Sequence, residues 1–270
     1  MPFAQLDDFN MHYEVFEGVV PRDTLIIHGN LASNRWFYPA VATWKNKSAK
    51  DNHLLPGKLI LAEWRGCGQS SAPKSRDDLK LQTLANDYIN LLRYLGVSKC
   101  SVIGHSTGGA IALLAMARAP QLFDRAVLLD PIGPKGIGFS EAIKEGFCRM
   151  QQDREFCASR LDFTIHKNDK ESALFSALVD DAFNTASENW LGIPYHLSQL
   201  DITSDVRAVE HSIQILHGEF DNVLPIQGSR ELASLLPHAT LLELKQQGHS
   251  ACYENPELFV NLTDRFLYAN

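Results

Sequence analysis

Three residues with complementary chemistry stand far apart in this chain: a serine, a histidine and an aspartate. Ser106 lies in Gly104-His105-Ser106-Thr107-Gly108, between an apolar run ending at Ile103 and the small-residue stretch Gly108, Gly109, Ala110, Ala112 and Ala115. Between a strand and a helix, G-x-S-x-G marks a sharp turn. Its glycines tolerate close backbone approach, and its serine hydroxyl is held above the sheet in front of a helix N-terminus. Such a hydroxyl attacks a carbonyl only when a base takes its proton, and the base must be oriented by a carboxylate. Gln247-Gly248-His249-Ser250, just after the last apolar run, supplies the base as His249. The loop His217-Gly218-Glu219-Phe220-Asp221 supplies the carboxylate as Asp221. Asp130, at the end of Val127-Leu128-Leu129-Asp130, is the alternative acid, and its other reading is an anchor for the turn into Pro131. The oxyanion that forms on attack needs two donors, each worth on the order of 3 kcal/mol. The backbone N–H of Thr107 is one. The other is the N–H of Asn30 in His28-Gly29-Asn30-Leu31, whose side chain either adds a polar contact or simply suits a turn.

Positioning these groups requires a rigid frame. Short apolar runs at 25–28, 59–62, 101–103, 126–129, 213–216 and 240–244 read as strands covered on both faces. Between them, Leu81, Leu84, Ala85, Tyr88, Leu91, Leu92 and Leu95 recur at helical spacing, and further helices fit 107–119, 226–236 and 256–267. Alternating strands and helices imply a mostly parallel, doubly wound α/β sheet. The rhythm breaks from 134 to 205, where helical patterns at 141–160 and 170–185 occur without a strand. The expected organisation is therefore a core of residues 1–133 and 206–270, with a helical cap or lid of 134–205 inserted near the carboxyl ends of the strands, where such sheets bind ligands.

The 270 residues carry 25 Lys+Arg and 32 Asp+Glu, a net charge of −7 that works against a nucleic-acid partner. The first ten residues lack a basic, apolar leader and no run reaches the ~18 apolar residues of a membrane span, so a cytoplasmic protein with no membrane partner is expected. The five cysteines, Cys67, Cys100, Cys148, Cys157 and Cys252, are scattered without a C-x-x-C pair, which suits reduced thiols. No phosphate loop occurs, Gly66-Cys67-Gly68 is followed by Ser71 where a dinucleotide motif needs glycine, and no H-E-x-x-H set is present. Neither metal nor other cofactor is expected. The 134–205 segment supplies Phe139, Phe147, Phe156, Phe163, Phe175, Leu178, Phe183 and Trp190, which either line an acyl pocket or form the cap's own core.

Taken in order, these motifs resemble the α/β-hydrolase superfamily of serine hydrolases over nearly the whole chain. The landmarks are His28-Gly29, Glu63-Trp64-Arg65-Gly66-Cys67-Gly68-Gln69-Ser70, the Ser106 turn, Asp130, Gly218-Glu219-Phe220-Asp221 and Gly248-His249. The order Ser, Asp, His is the one this superfamily uses. Relatives usually carry aspartate where Glu63 stands, in a segment with a structural role. Serine at position 106 argues against epoxide hydrolases and haloalkane dehalogenases, which place aspartate there. The loop from His28 to Tyr38 is similar to that of quorum-quenching hydrolases that open acyl-homoserine lactones. The resemblance implies a serine hydrolase that cleaves a small-molecule carboxylic ester or lactone through an acyl-enzyme. It also implies a possible N-acyl homoserine lactone lactonase, with two alternatives: a general carboxylesterase, or a triad-bearing small-molecule receptor with little turnover. Oligomeric state and natural substrate are not legible.

Overall fold

The computed structural model describes residues 2–18, 22–51 and 57–268. Eight strands form one sheet: β1 (Phe3–Leu6), β2 (Phe9–Phe16), β3 (Asp23–Ile27), β4 (Leu59–Ala62), β5 (Cys100–His105), β6 (Phe123–Leu129), β7 (Ser212–Gly218) and β8 (Ala239–Leu244). Their order is β1-β2-β4-β3-β5-β6-β7-β8. Strands β1 and β2 pair antiparallel, as do β2 and β4, and every other neighbouring pair is parallel.

Alternation along each central strand divides the core into two layers. Leu25, Ile27, Val102 and Leu128 point to one face, where they meet α2 (Leu81–Tyr94) and α3 (Thr107–Arg118). Ile26, Ile103 and Val127 point to the other, against Trp44 of α1 (Tyr38–Asp51) and Phe259 of α11 (Pro256–Leu267). With both faces covered, β4 and β5 are buried at every position, and β4 is apolar throughout. All six expected strands are present, with bounds shifted by a few residues.

Between β6 and β7 lie α4 (Glu141–Gln152), α5 (Arg154–Phe163), α6 (Ala173–Phe183), α7 (Ser187–Ser198) and α8 (Thr203–Arg207), with no strand among these described residues. After β7 come α9 (Ile226–Leu235) and, beyond β8, α10 (Ala251–Glu254). The expected single helix over 141–160 is two. Asp153 ends α4 in an extended conformation, and its carboxylate accepts from Phe156 N at 2.9 Å to cap α5. A side chain that satisfies the free N–H groups of a new helix also interrupts the old one. The β1–β2 hairpin, α1, α7 and α8 were not expected from the sequence.

Candidate active site

The loops that follow β3, β5, β6, β7 and β8, five consecutive parallel neighbours, carry Asn30, Ser106, Asp130, Asp221 and His249 respectively. Strands about 4.8 Å apart put the end of β8 roughly 14 Å from the end of β5, so the later loops must fold back over the sheet edge to reach the serine.

Ser106 has φ 54° and ψ −121°, a conformation that costs on the order of 1–3 kcal/mol and persists only when surrounding contacts impose it. They do. Ser106 N–H donates to Leu129 O at 2.9 Å, and its carbonyl accepts from Gly109 N at 2.9 Å and Ile132 N at 3.2 Å. A Cβ on Gly104 would lie 2.6 Å from Gly108 O and 2.7 Å from Gly109 Cα, while one on Gly108 would collide with the carbonyls of Ile27 and His28. The turn therefore demands both glycines. Leu31 (φ 51°) and Asp130 (φ 45°) are also left-handed. Three of the four described non-glycine residues with positive φ thus surround this one place.

His249 Nδ1 lies 2.8 Å from Asp221 Oδ2. The other carboxylate oxygen accepts from Val223 N at 2.7 Å and Leu224 N at 3.0 Å. Burial would raise the Asp221 carboxyl, but the adjacent His249 and the two backbone donors outweigh it and hold the group below the usual aspartate value. An ionised Asp221 only accepts, so His249 carries its proton on Nδ1 and presents a bare Nε2. His249 and Ser106 line the same cavity of about 280 Å³. No hydrogen bond joins their side chains in this geometry.

Asp130 is fully buried next to this pair. Its Oδ1 accepts from Gly218 N at 2.7 Å, which ties the end of β7, and its Oδ2 has no partner among the described residues. Burial above all, and then the charge of Asp221, push its carboxyl well above the aspartate range. The imidazole is hydrogen-bonded to Asp221. Asp130 fastens the strand from which the Asp221 loop departs.

The oxyanion candidates are less alike. Asn30 lines the cavity, and its Oδ1 is buried without a partner among the described residues. Thr107 is buried as the first residue of α3, directly behind Ser106, and its side chain is not part of the cavity wall.

Several positioning residues were not singled out in the sequence. His105 Nε2 lies 2.8 Å from the carbonyl of His249, and because a carbonyl only accepts, this nitrogen must carry the proton. Burial above all, with the neighbouring imidazole of His249, pushes the His105 pKa down to about 3, so it remains a neutral tie between the Ser106 turn and the His249 loop. Glu254 accepts from Gly248 N at 2.8 Å and Ser250 N at 3.1 Å, and Thr164 O accepts from His249 N at 3.1 Å. Three elements, β5, α10 and the segment after α5, therefore fix the loop that presents the imidazole. Only Glu254 left a trace in the sequence, an acid placed to accept from the free N–H groups of the Gly248–Ser250 turn. The roles of His105 and Thr164 exist only in three dimensions.

Glu63 plays the structural part expected of its segment. Its carboxylate is 2.7 Å from His12 Nδ1 and accepts from Gln69 N at 2.8 Å and Asn34 N at 3.2 Å. Arg65, two residues on, joins Asp87 and Asp8, both at 2.7 Å. Of the aromatics between β6 and β7, Phe147 and Phe163 line the cavity, whereas Phe175 and Trp190 are buried in the core beneath. Trp36, from the loop after β3, also lines it.

Two sets of atoms, from His105, Asp130 and His249 and from Asp130, His217 and Asp221, lie within 4.8 Å of one another, close enough to hold a cation. The protonated nitrogens are tied by hydrogen bonds, His249 Nδ1 to Asp221 and His105 Nε2 to a carbonyl, and His217 Nδ1 lies 2.9 Å from Ser229 Oγ, whereas His105 Nδ1 and Asp130 Oδ2 have no partner among the described residues.

Known proteins share this organisation. The chain is 26% identical over 218 residues to a 2-hydroxymuconate semialdehyde hydrolase of Pseudomonas putida, covering 78% of this chain and 76% of that protein. An enol-lactonase from Burkholderia xenovorans LB400 superposes with a TM-score of 0.85 at 18% identity, covering 99% and 100% of the two chains. An N-acyl homoserine lactone degrading enzyme superposes with a TM-score of 0.78 at 19% identity, covering 98% and 100%. At such identities the two structures testify to the fold alone. Residues 25–256, which run from β3 to the start of α11 and contain Asn30, Ser106, Asp130, Asp221 and His249, match the family model of the alpha/beta hydrolase fold, and the chain belongs to that family.

Proposed function

We propose that this hydrolase cleaves small carboxylic esters or lactones through an acyl-enzyme formed on Ser106. The observation that carries the reading is the pairing of His249 Nδ1 with an ionised Asp221 at 2.8 Å, in the same cavity that Ser106 lines from a turn of imposed positive φ. His249 Nε2 removes the Ser106 proton as Oγ bonds to the carbonyl carbon. The Thr107 and Asn30 N–H groups stabilise the oxyanion. The tetrahedral adduct then collapses, the C–O bond to the leaving group breaks, and His249 gives its proton to the departing alkoxide. Water repeats the sequence: it loses a proton to His249, attacks the acyl carbon, and Ser106 leaves with that proton. In a lactone the alkoxide stays tethered, so the product is heavier by one water. The Ser106–His249 hydrogen bond forms as substrate seats, because catalytic contacts are often loose until the site is filled.

Residues 134–205 act in this reading as a cap. Their attachment to the sheet supports it: Ser33 Oγ donates to Asp181 at 2.5 Å, Arg35 pairs with the same carboxylate, and Ala186 N donates to Gly66 O at 2.8 Å. No resident metal takes part, so turnover survives chelators.

The test is hydrolysis of short p-nitrophenyl esters and a panel of acyl-homoserine lactones, with product masses measured. Sustained turnover that falls by at least about a thousandfold in Ser106→Ala is expected. An unchanged rate in that variant would falsify the nucleophile. Ligand binding without turnover in the wild type would make the protein a receptor.

A further inference from the structure

The ester-hydrolase reading leaves open what the substrate carries beyond its scissile bond, and the charge of the cavity wall speaks to that. Among the described residues lining the cavity there is no aspartate or glutamate, and the one permanently charged side chain is Arg160, from α5. The cavity's apolar walls include Leu31, Phe147, Met150 and Leu161. Arg160 forms no ion pair or hydrogen bond with any described residue. The other arginine of the same helix, Arg154, is paired with Asp180 at 2.6 Å, and in the neighbouring helix Arg149 lies 3.8 Å from Asp153. Arg160 is exposed on the cavity wall, where its charge can meet an incoming anion.

Its setting suits a ligand. The Arg160 guanidinium carbon lies over the Phe163 ring, 5.0 Å from its centre, a cation–π contact that uses none of its N–H donors in hydrogen bonds. Phe163 and Val223, both cavity residues, are 49% and 43% exposed, and they mark the open side through which a substrate passes. Deeper in, Trp36 is 4% exposed and its Nε1–H has no partner among the described residues, a second donor wanting an acceptor. Next to apolar walls a cation attracts an anion more strongly than in water, and a guanidinium meets a carboxylate through two parallel hydrogen bonds.

We infer that the substrate is an ester or lactone bearing a carboxylate remote from the scissile carbonyl, and that Arg160 receives that carboxylate at the cavity mouth. The inference rests on the ester-hydrolase reading. It disfavours uncharged acyl-homoserine lactones as natural substrates.

The experiment compares mono-p-nitrophenyl glutarate with its methyl ester for an anion on the acyl side, and 4-carboxyphenyl butyrate with its methyl ester for one on the alcohol side. In the wild type, one free acid has a kcat/KM at least tenfold above its methyl ester. In Arg160→Gln that ratio falls by about tenfold to a hundredfold through KM, the range set by one charge-assisted pair. Arg160→Lys restores part of it, and in Arg160→Gln the loss on the free acid exceeds any loss on uncharged p-nitrophenyl butyrate by about tenfold or more. Ratios near one in the wild type, or ratios that persist in Arg160→Gln, overturn the inference while leaving the hydrolase reading intact. Should no ester be turned over, the hydrolase reading fails. Arg160 is then judged by calorimetric binding of monomethyl glutarate to wild type and Arg160→Gln, where equal affinities refute it and at least tenfold weaker binding in the variant supports it.

Discussion

At the scale of single residues, two buried carboxyls lie beside one imidazole, and they do different things. Asp221 accepts three hydrogen bonds and stays ionised, whereas Asp130 accepts one from a strand end and is driven toward its neutral form by burial and by the charge of Asp221. Asp221→Asn leaves His249 in the wrong tautomer, and kcat is expected to fall by about a thousandfold to ten-thousandfold. Asp130→Asn keeps a neutral group of the same shape, so its kcat stays within about tenfold of wild type at the same ester concentration. A larger loss at position 130 would exchange the two roles. Ser106, His249 and Asp221 were legible in the sequence because each lies in a short motif just after an apolar run. The spacing also admitted Asp130, and a one-dimensional reading cannot tell which of two adjacent strand ends turns its carboxylate toward the imidazole.

At the scale of elements, the sharpest constraint is the turn from β5 to α3 and its fastening to the loop after β8. His105, the unassigned residue inside the serine motif, makes that fastening with a proton it must keep on Nε2. Its native pKa of about 3 lies below the ordinary value of 6.5. As pH falls from 6.5 toward 3, the unfolded chain binds a proton that the native state refuses. The stability this group contributes is thus complete above pH 6.5 and lost on acidification, by up to about 2 kcal/mol at pH 5. Thermal melts of wild type and His105→Gln at pH 7 and pH 5 test this. The melting temperature of the variant is expected to fall less between the two, and equal falls would remove His105 as the source. The central strands were readable because a sheet covered on both faces requires uninterrupted apolar runs. The β1–β2 hairpin was missed for the complementary reason: β1 alternates exposed and buried residues over only four positions, too short a pattern to stand out. The division of 141–160 turned on a single capping aspartate.

At the scale of the whole molecule, five parallel strand ends carry the residues of the proposed site, and the 134–205 segment reaches them twice, through the Thr164 carbonyl on the His249 loop and through the cavity walls of α4 and α5. Fold class and chain order of the site followed from alternating strand and helix signals. The shape of the cavity and the exposed Arg160 on its wall did not, since they depend on how helices distant in sequence pack over the sheet. The claim on which everything else depends is that one serine becomes covalently acylated. A fluorophosphonate probe, followed by intact mass and peptide mapping, addresses it directly. One equivalent is expected on the peptide containing Ser106, with labelling abolished in Ser106→Ala and slowed by about a hundredfold or more in His249→Ala. Stoichiometric labelling at another residue, or undiminished labelling of Ser106→Ala, would contradict the account.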